Sequence, residues 1–176
     1  MVYLFGALSR QKTKNEKHVK ILNMKKRIYT DTSVIGGCLD VEFEEGSNKI
    51  FAEFIAGKSI LLISKLVTTE LENAPQSVSD ILKQVPKQHI EELIFSNEAE
   101  QLANTYVSEK VIPQHSIVDA RHIATATINR ADVLVSWNFK HIVNLDRIHG
   151  YNAVNLKLGY PMIEIRTPTE VLNYGI

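Results

Sequence analysis

Apolar residues in this chain alternate between short unbroken runs and longer stretches in which they recur every three or four positions. The runs are Ile28-Tyr29, Ile60-Leu61-Leu62-Ile63, Val133-Leu134-Val135 and Met162 to Ile165. Continuous apolar runs of this length mark strands buried on both faces of a parallel sheet. Ile90 to Phe95 fits an edge strand, with helix a close alternative. Between the runs, Ile50, Phe51, Phe54 and Ile55 share a helical face behind a cap at Ser47 and ahead of Gly57. Ala99, Leu102, Ala103, Tyr106 and Val107 form another behind Ser96. Ile117, Ala120, Ala124, Thr127 and Ile128 form a third behind Ser116, where Asp119 three residues on makes a capping box with Asp in place of Glu.

Shorter helices fill the rest. Thr32 or Ser33 caps one that Gly36-Gly37 stops within about a turn. Thr68 or Thr69 caps one that puts Glu70 in its first turn, before Pro75. Ser77 to Val85 is a further helix, one or two more run between Asn138 and Leu158, and Thr167-Pro168-Thr169-Glu170 opens a last one with Pro near its first position. Strands alternating with helices predict an α/β fold, a three-layer α/β/α sandwich around a central parallel sheet.

A length of 176 residues allows one domain with a real core. At 44% hydrophobic and 23% charged, the composition is that of an ordinary globular protein. No apolar run approaches the roughly 18–20 residues of a membrane helix. Cys38 is the only cysteine, which excludes an intrachain disulfide and a thiolate-based structural zinc site. With no secretory signal, since the basic residues follow the apolar start, the expected compartment is the cytoplasm.

The net charge of zero is unevenly spread. Residues 1–27 hold eight Lys or Arg against one Glu, so the remainder is acidic. We divide the chain into a basic N-terminal extension, residues 1–26, and one domain, residues 27–176. The extension is either an arm that binds nucleic acid or, the favoured alternative, a segment preceding a true start at Met24, with residues 1–23 having no place in the fold.

Three carboxylates occupy one kind of position. Asp31 ends a strand, Glu70 opens a helix after a strand, Asp119 opens a helix, and Asn138 ends a strand. In a parallel sheet all four fall on its carboxyl edge, where open α/β folds place their chemistry. Singly, each acid is explained as a partner for a helix N-terminus. Together they repel one another unless a cation sits between them, and hard oxygen ligands suit Mg²⁺ or Mn²⁺. The chemistry expected is metal-assisted phosphodiester hydrolysis. Trp137 either stacks on a base at the rim or covers the strand end. Lys140 and His141 either touch a phosphate or are solvated, and Arg121 and Arg147 are further sources of positive charge. The six histidines show no HExxH-type spacing and are assigned to the surface or to supporting positions. No GxGxxG, P-loop or GxSxG occurs, which leaves dinucleotide binding, NTP hydrolysis and serine-esterase chemistry unsupported.

Four segments, IYTDTSVIGG around Asp31, LVTTELENAP around Glu70, SIVDARHIATA around Asp119 and ADVLVSWNFKHI around Asn138, resemble the PIN domain over about residues 27–172. That is the fold of many metal-dependent ribonucleases and of VapC-type toxins of toxin–antitoxin pairs. The resemblance implies a PIN-like sandwich with Asp31, Glu70 and Asp119 as ligands of Mg²⁺ or Mn²⁺, and Asn138 assisting catalysis. It further implies Ser136 and Thr32 as supports, Ser136 by a hydrogen bond to Asp31. Trp137, Lys140 and Arg121 are the candidate RNA contacts. The family often has Asp where this chain has Asn138, which weakens any second metal. The function so implied is a metal-dependent endoribonuclease, in one version a toxin with an antitoxin partner, and a homodimer. The alternative is a PIN-fold protein- or nucleic-acid-binding module with a degenerate, weakly active site.

Overall fold

Strand β1 (Lys26–Thr30) lies at the centre of a five-stranded sheet completed by β2 (Ser59–Ser64), β3 (Ile90–Leu93), β4 (Val133–Val135) and β5 (Ile165–Arg166). The order is β3-β2-β1-β4-β5 and every pairing is parallel, with Tyr29 opposite Leu62 on one side and Leu134 on the other. This is a computed structural model, and it describes residues 24–174. The expectations for residues 1–23 lie outside the described residues. β1 begins at Lys26, the last residue assigned to the extension.

Eight helices lie among the described residues: α1 (Thr32–Gly37), α2 (Glu44–Ile55), α3 (Lys65–Glu72), α4 (Gln76–Lys83), α5 (Asn97–Ser108), α6 (Ile117–Ile128), α7 (Leu145–Lys157) and α8 (Pro168–Tyr174). The architecture is the expected three-layer sandwich with a central parallel sheet. Its core joins Ile28, Tyr29, Leu61, Leu62 and the whole of β4 to Phe54, Ile123 and Tyr151. Burial of such side chains stabilises by about 1.5–3 kcal/mol each before the cost of ordering them is counted. None of these helices is long and apolar enough to cross a membrane.

The winding runs outward from β1 through β2 to β3, then crosses back to set β4 on the other side of β1. The direction therefore reverses between β1 and β4, and crevices in open α/β sheets form at such a reversal.

Two helix starts, one capping box and one strand described next differ from expectation. α2 starts at Glu44, not behind Ser47. Phe43 stacks on Trp137 at 4.8 Å, and buried Ser47 accepts the Trp137 indole N–H at 2.9 Å from inside the helix. α3 starts at Lys65, directly after β2, so Glu70 falls in its second half and is not a first-turn acid. Ser116 closes a short 3₁₀ turn (Gln114–Ser116) and makes no side-chain cap, so the capping box with Asp119 does not form. The last strand is confined to Ile165–Arg166, because the Asn152 side chain binds both the N–H and the C=O of Ile163, at 2.8 and 3.1 Å. α8 does open at the Thr167-Pro168-Thr169-Glu170 motif, where Thr167 and Glu170 bond reciprocally.

Candidate functional site

Asp31 follows β1 directly and caps α1, with 5% of its surface exposed. Thr32 and Ser33, expected as the cap, are instead the first helical residues. One Asp31 oxygen accepts from the Ser33 N–H at 3.1 Å and from the Ser33 hydroxyl at 2.5 Å, and the other accepts from Ser136 Oγ at 2.6 Å. Each of these hydroxyls also receives a backbone N–H from the β4 end, Trp137 into Ser33 Oγ and Asn138 into Ser136 Oγ, both at 2.9 Å. The ends of β1 and β4 are thus laced together through one carboxylate. Burial pushes that carboxyl above its ordinary value, against the opposing pull of the His122 ring and the hydroxyl donors.

Asp119, in the first turn of α6, faces the same space. With no capping role, it accepts from the Asn138 amide Nδ2 at 3.1 Å. The Asn138 carbonyl oxygen accepts the His141 N–H at 3.0 Å, which orients the amide with its amino group toward Asp119. Asn138 thus presents a donor to the pocket; an Asp there would add a further carboxylate. Burial raises the Asp119 carboxyl, the charges of Asp31 and Glu70 add to the rise, and His122 and Asn138 oppose it. Glu70 reaches in from α3, taking a short hydrogen bond from the Thr32 hydroxyl and a contact of 3.2 Å from His122 Nε2. Burial works against its ionised form, but the hydrogen bond and charge of His122 and the Thr32 hydroxyl outweigh it and hold the carboxyl below its ordinary value.

Asp119 thus lies within the field of Asp31 and Glu70 and is bonded by Asn138. No Lys or Arg among the described residues forms a salt bridge with Asp31, Glu70 or Asp119. The donor set, carboxylate oxygens in excess of positive charge, has the chemistry of a hard-dication site. Their convergence is incomplete: among the described residues, no three His, Cys, Asp or Glu side chains are placed to hold one ion together.

His122 is the residue that the sequence did not single out from the other histidines, all assigned to the surface or to supporting positions. It lies one turn after Asp119 on the same face of α6, is 2% exposed, and stands among all three carboxylates. The i, i+3 spacing from Asp119 was the available signal; a search for metal-binding histidine pairs does not register it.

The candidate RNA contacts have different surroundings. Arg121 is engaged away from the crevice, bidentate to Glu100 at 2.7 Å and over the Phe95 ring. Trp137 covers the strand end, so tightly that a Cβ on Gly37 would lie 3.0 Å from its indole nitrogen. The exposed aromatic at this rim is Phe139, at 52%. Lys140 is exposed and makes no salt bridge among the described residues. Arg147 binds the carbonyls of Lys140 and Val111 and, among the described residues, pairs with no carboxylate.

No family model matches the chain, and no curated protein matches it in sequence. Among solved structures it is similar to Mycobacterium tuberculosis VapC20, a sarcin–ricin loop cleaving toxin, at 12% identity and a TM-score of 0.51, covering 65% of this chain and 92% of that one. A chain of VapBC2 from Rickettsia felis, solved bound to a DNA fragment from their promoter, aligns with 80% of this chain and 98% of its own at 17% identity and a TM-score of 0.47. The resemblance to the PIN domain drawn from four short motifs therefore holds at the level of the fold.

Proposed function

We propose that this PIN-like domain, residues 27–176, is a Mg²⁺- or Mn²⁺-dependent endoribonuclease in which Asp31, Glu70 and Asp119 hold the divalent ion. The observation that carries this is the acidic charge: Asp119 lies in the field of Asp31 and Glu70, and among the described residues no Lys or Arg is bonded to any of the three. Such crowding is costly without a cation. When bound, the ion lowers the pKa of a coordinated water and offsets charge developing on a phosphate. The chain's own groups have separate tasks. Ser33 and Ser136 hold Asp31, Thr32 and His122 hold Glu70, and Asn138 turns its amino group onto Asp119. Lys140 and Arg147 supply positive charge for the RNA backbone on an otherwise acidic body.

VapC20, which shares the fold, is a sarcin–ricin loop cleaving toxin, and we extend the proposal to a toxin acting in the cytoplasm as a homodimer with an antitoxin. A second function, a binding module with a degenerate site, is favoured by Asn138 in a position often held by Asp and by the incomplete convergence of the carboxylates.

The purified protein is expected to cleave single-stranded RNA when Mn²⁺ is added and to stop when a chelator removes it. RNA retained uncut in a gel shift, with or without Mn²⁺, would favour the binding module.

A further inference from the structure

The crevice is backed by a line of buried polar groups that no part of the sheet requires. Tyr29 sits on β1 two residues before Asp31, so both side chains project to the same face of the strand. Its hydroxyl meets Ser64 Oγ, at the end of β2, at 2.8 Å, and His122 Nδ1, on α6, also at 2.8 Å. The other imidazole nitrogen, Nε2, stands 3.2 Å from Glu70 Oε1, and the second Glu70 oxygen takes the Thr32 hydroxyl. Ser64, Tyr29 and His122 are all essentially inaccessible to solvent.

Donor and acceptor roles along this line follow from chemistry. An ionised carboxylate only accepts, so Nε2 carries the hydrogen facing Glu70. Nδ1 faces the Tyr29 hydroxyl, accepting from it when the ring is neutral and donating to it when the ring is charged. Burial keeps the Tyr29 phenol protonated, raising it well above its ordinary value. The phenol oxygen in turn accepts from Ser64. Every polar atom along the line is satisfied, which the burial of Tyr29 and His122 demands.

We propose that His122 is a positioning residue for the divalent-ion site, holding the Glu70 carboxylate toward Asp31 and Asp119 through Nε2–H, with Tyr29 and Ser64 fixing the ring and its tautomer. This rests on the metal-dependent reading of the crevice. Glu70 needs such a hold more than its partners do. Asp31 is a buried cap on a short side chain, and Asp119 is steadied by Asn138. Glu70 has one more rotatable bond, comes from the second half of α3, and its side chain is about a third exposed. A histidine that merely filled the core would be satisfied by any partner. This one bridges a tyrosine anchored in the sheet to one of the three carboxylates, the arrangement by which protein groups behind a metal ligand set its orientation.

The experiment measures Mn²⁺ affinity by electron paramagnetic resonance titration, and melting temperature, in wild type, Glu70→Gln, His122→Leu, His122→Gln and Tyr29→Phe. The ¹⁵N spectrum of the imidazoles is recorded at mildly alkaline pH in metal-free wild type and Tyr29→Phe. Wild-type His122 is expected as the single Nε2–H tautomer, and Tyr29→Phe as a tautomer mixture with weakened Mn²⁺ binding. His122→Leu is expected to weaken Mn²⁺ binding about 10–100-fold, the usual effect of removing a group behind a metal ligand. His122→Gln, whose amide can still donate to Glu70, is expected to bind nearly as wild type does. Unchanged affinity in His122→Leu alongside weakened binding in Glu70→Gln overturns the positioning role and leaves the metal site standing. Unchanged affinity in Glu70→Gln overturns the metal site itself. Where His122→Leu does not fold, Tyr29→Phe decides, and an unaltered tautomer with unaltered affinity overturns the proposal.

Discussion

Asp119→Asn is expected to lower Mn²⁺-supported RNA cleavage by about 10²–10³-fold, corresponding to the roughly 3–4 kcal/mol of transition-state stabilisation that one well-placed electrostatic group supplies. The substitution is close to isosteric, and its amide oxygen can still accept from Asn138 Nδ2, which now bonds the carboxylate at 3.1 Å. Folding should survive while the charge is lost. A second consequence concerns the metal-free protein. The folded-state carboxyl of Asp119 lies above its ordinary value, chiefly through burial and then through Asp31 and Glu70. The folded state thus holds that proton more tightly than the unfolded chain does. Stability from this group is present at acid pH and is lost as pH rises through the folded-state value. Thermal melts in a chelator should show Asp119→Asn more stable than wild type at neutral pH, with the gap closing toward acid. Equal cleavage by the variant and wild type would remove Asp119 from the mechanism.

Asp31→Ala is expected to destabilise the fold by about 3 kcal/mol, or roughly 6–12 °C of melting temperature in a domain of this size. The figure combines loss of a helix cap, about 1 kcal/mol, with buried hydroxyl and N–H donors left without an acceptor, about 1–3 kcal/mol. Those donors are the Ser33 N–H and hydroxyl and the Ser136 hydroxyl. Asp31→Asn keeps an oxygen for the cap and an amide that can donate to Ser136 Oγ, so its loss of stability should be much smaller. Its cleavage activity should nevertheless fall as far as that of Asp119→Asn. Denaturant titration and the RNA assay on the same two variants separate the structural task of Asp31 from its chemical one. Retained cleavage in Asp31→Asn would reduce the residue to a cap.

The architecture was legible because unbroken apolar runs such as Val133-Leu134-Val135 need burial on both faces, and only a covered parallel sheet provides it. The gathering of Asp31, Glu70, Asp119 and Asn138 on one edge followed from that topology alone. The cap positions were less legible, for a common reason. Cap preference describes what a Ser or Thr does for its own helix, but the Ser47 hydroxyl takes the Trp137 indole and that of Ser64 the Tyr29 phenol. These partners lie 90 and 35 residues away. Likewise, nothing near Arg121 in sequence announces its pairing with Glu100 on α5. His122 was not singled out from the other histidines because its significance lies in contacts to two other elements, β1 and α3. Of the helix-terminus explanations, only that for Glu70 fails, since it is not in a first turn. Asp31 does cap α1, and Asp119 does stand in the first turn of α6, although it completes no capping box.

The central claim is that these carboxylates share a divalent ion, and a crystal grown with Mn²⁺ tests it most directly through the anomalous signal of the metal. The expected result is one strong peak in the crevice within direct bonding distance of oxygens from Asp31, Glu70 and Asp119, with Asn138 alongside. Crystals holding Mn²⁺ elsewhere, or nowhere, with the three side chains arranged as they are now, would contradict it.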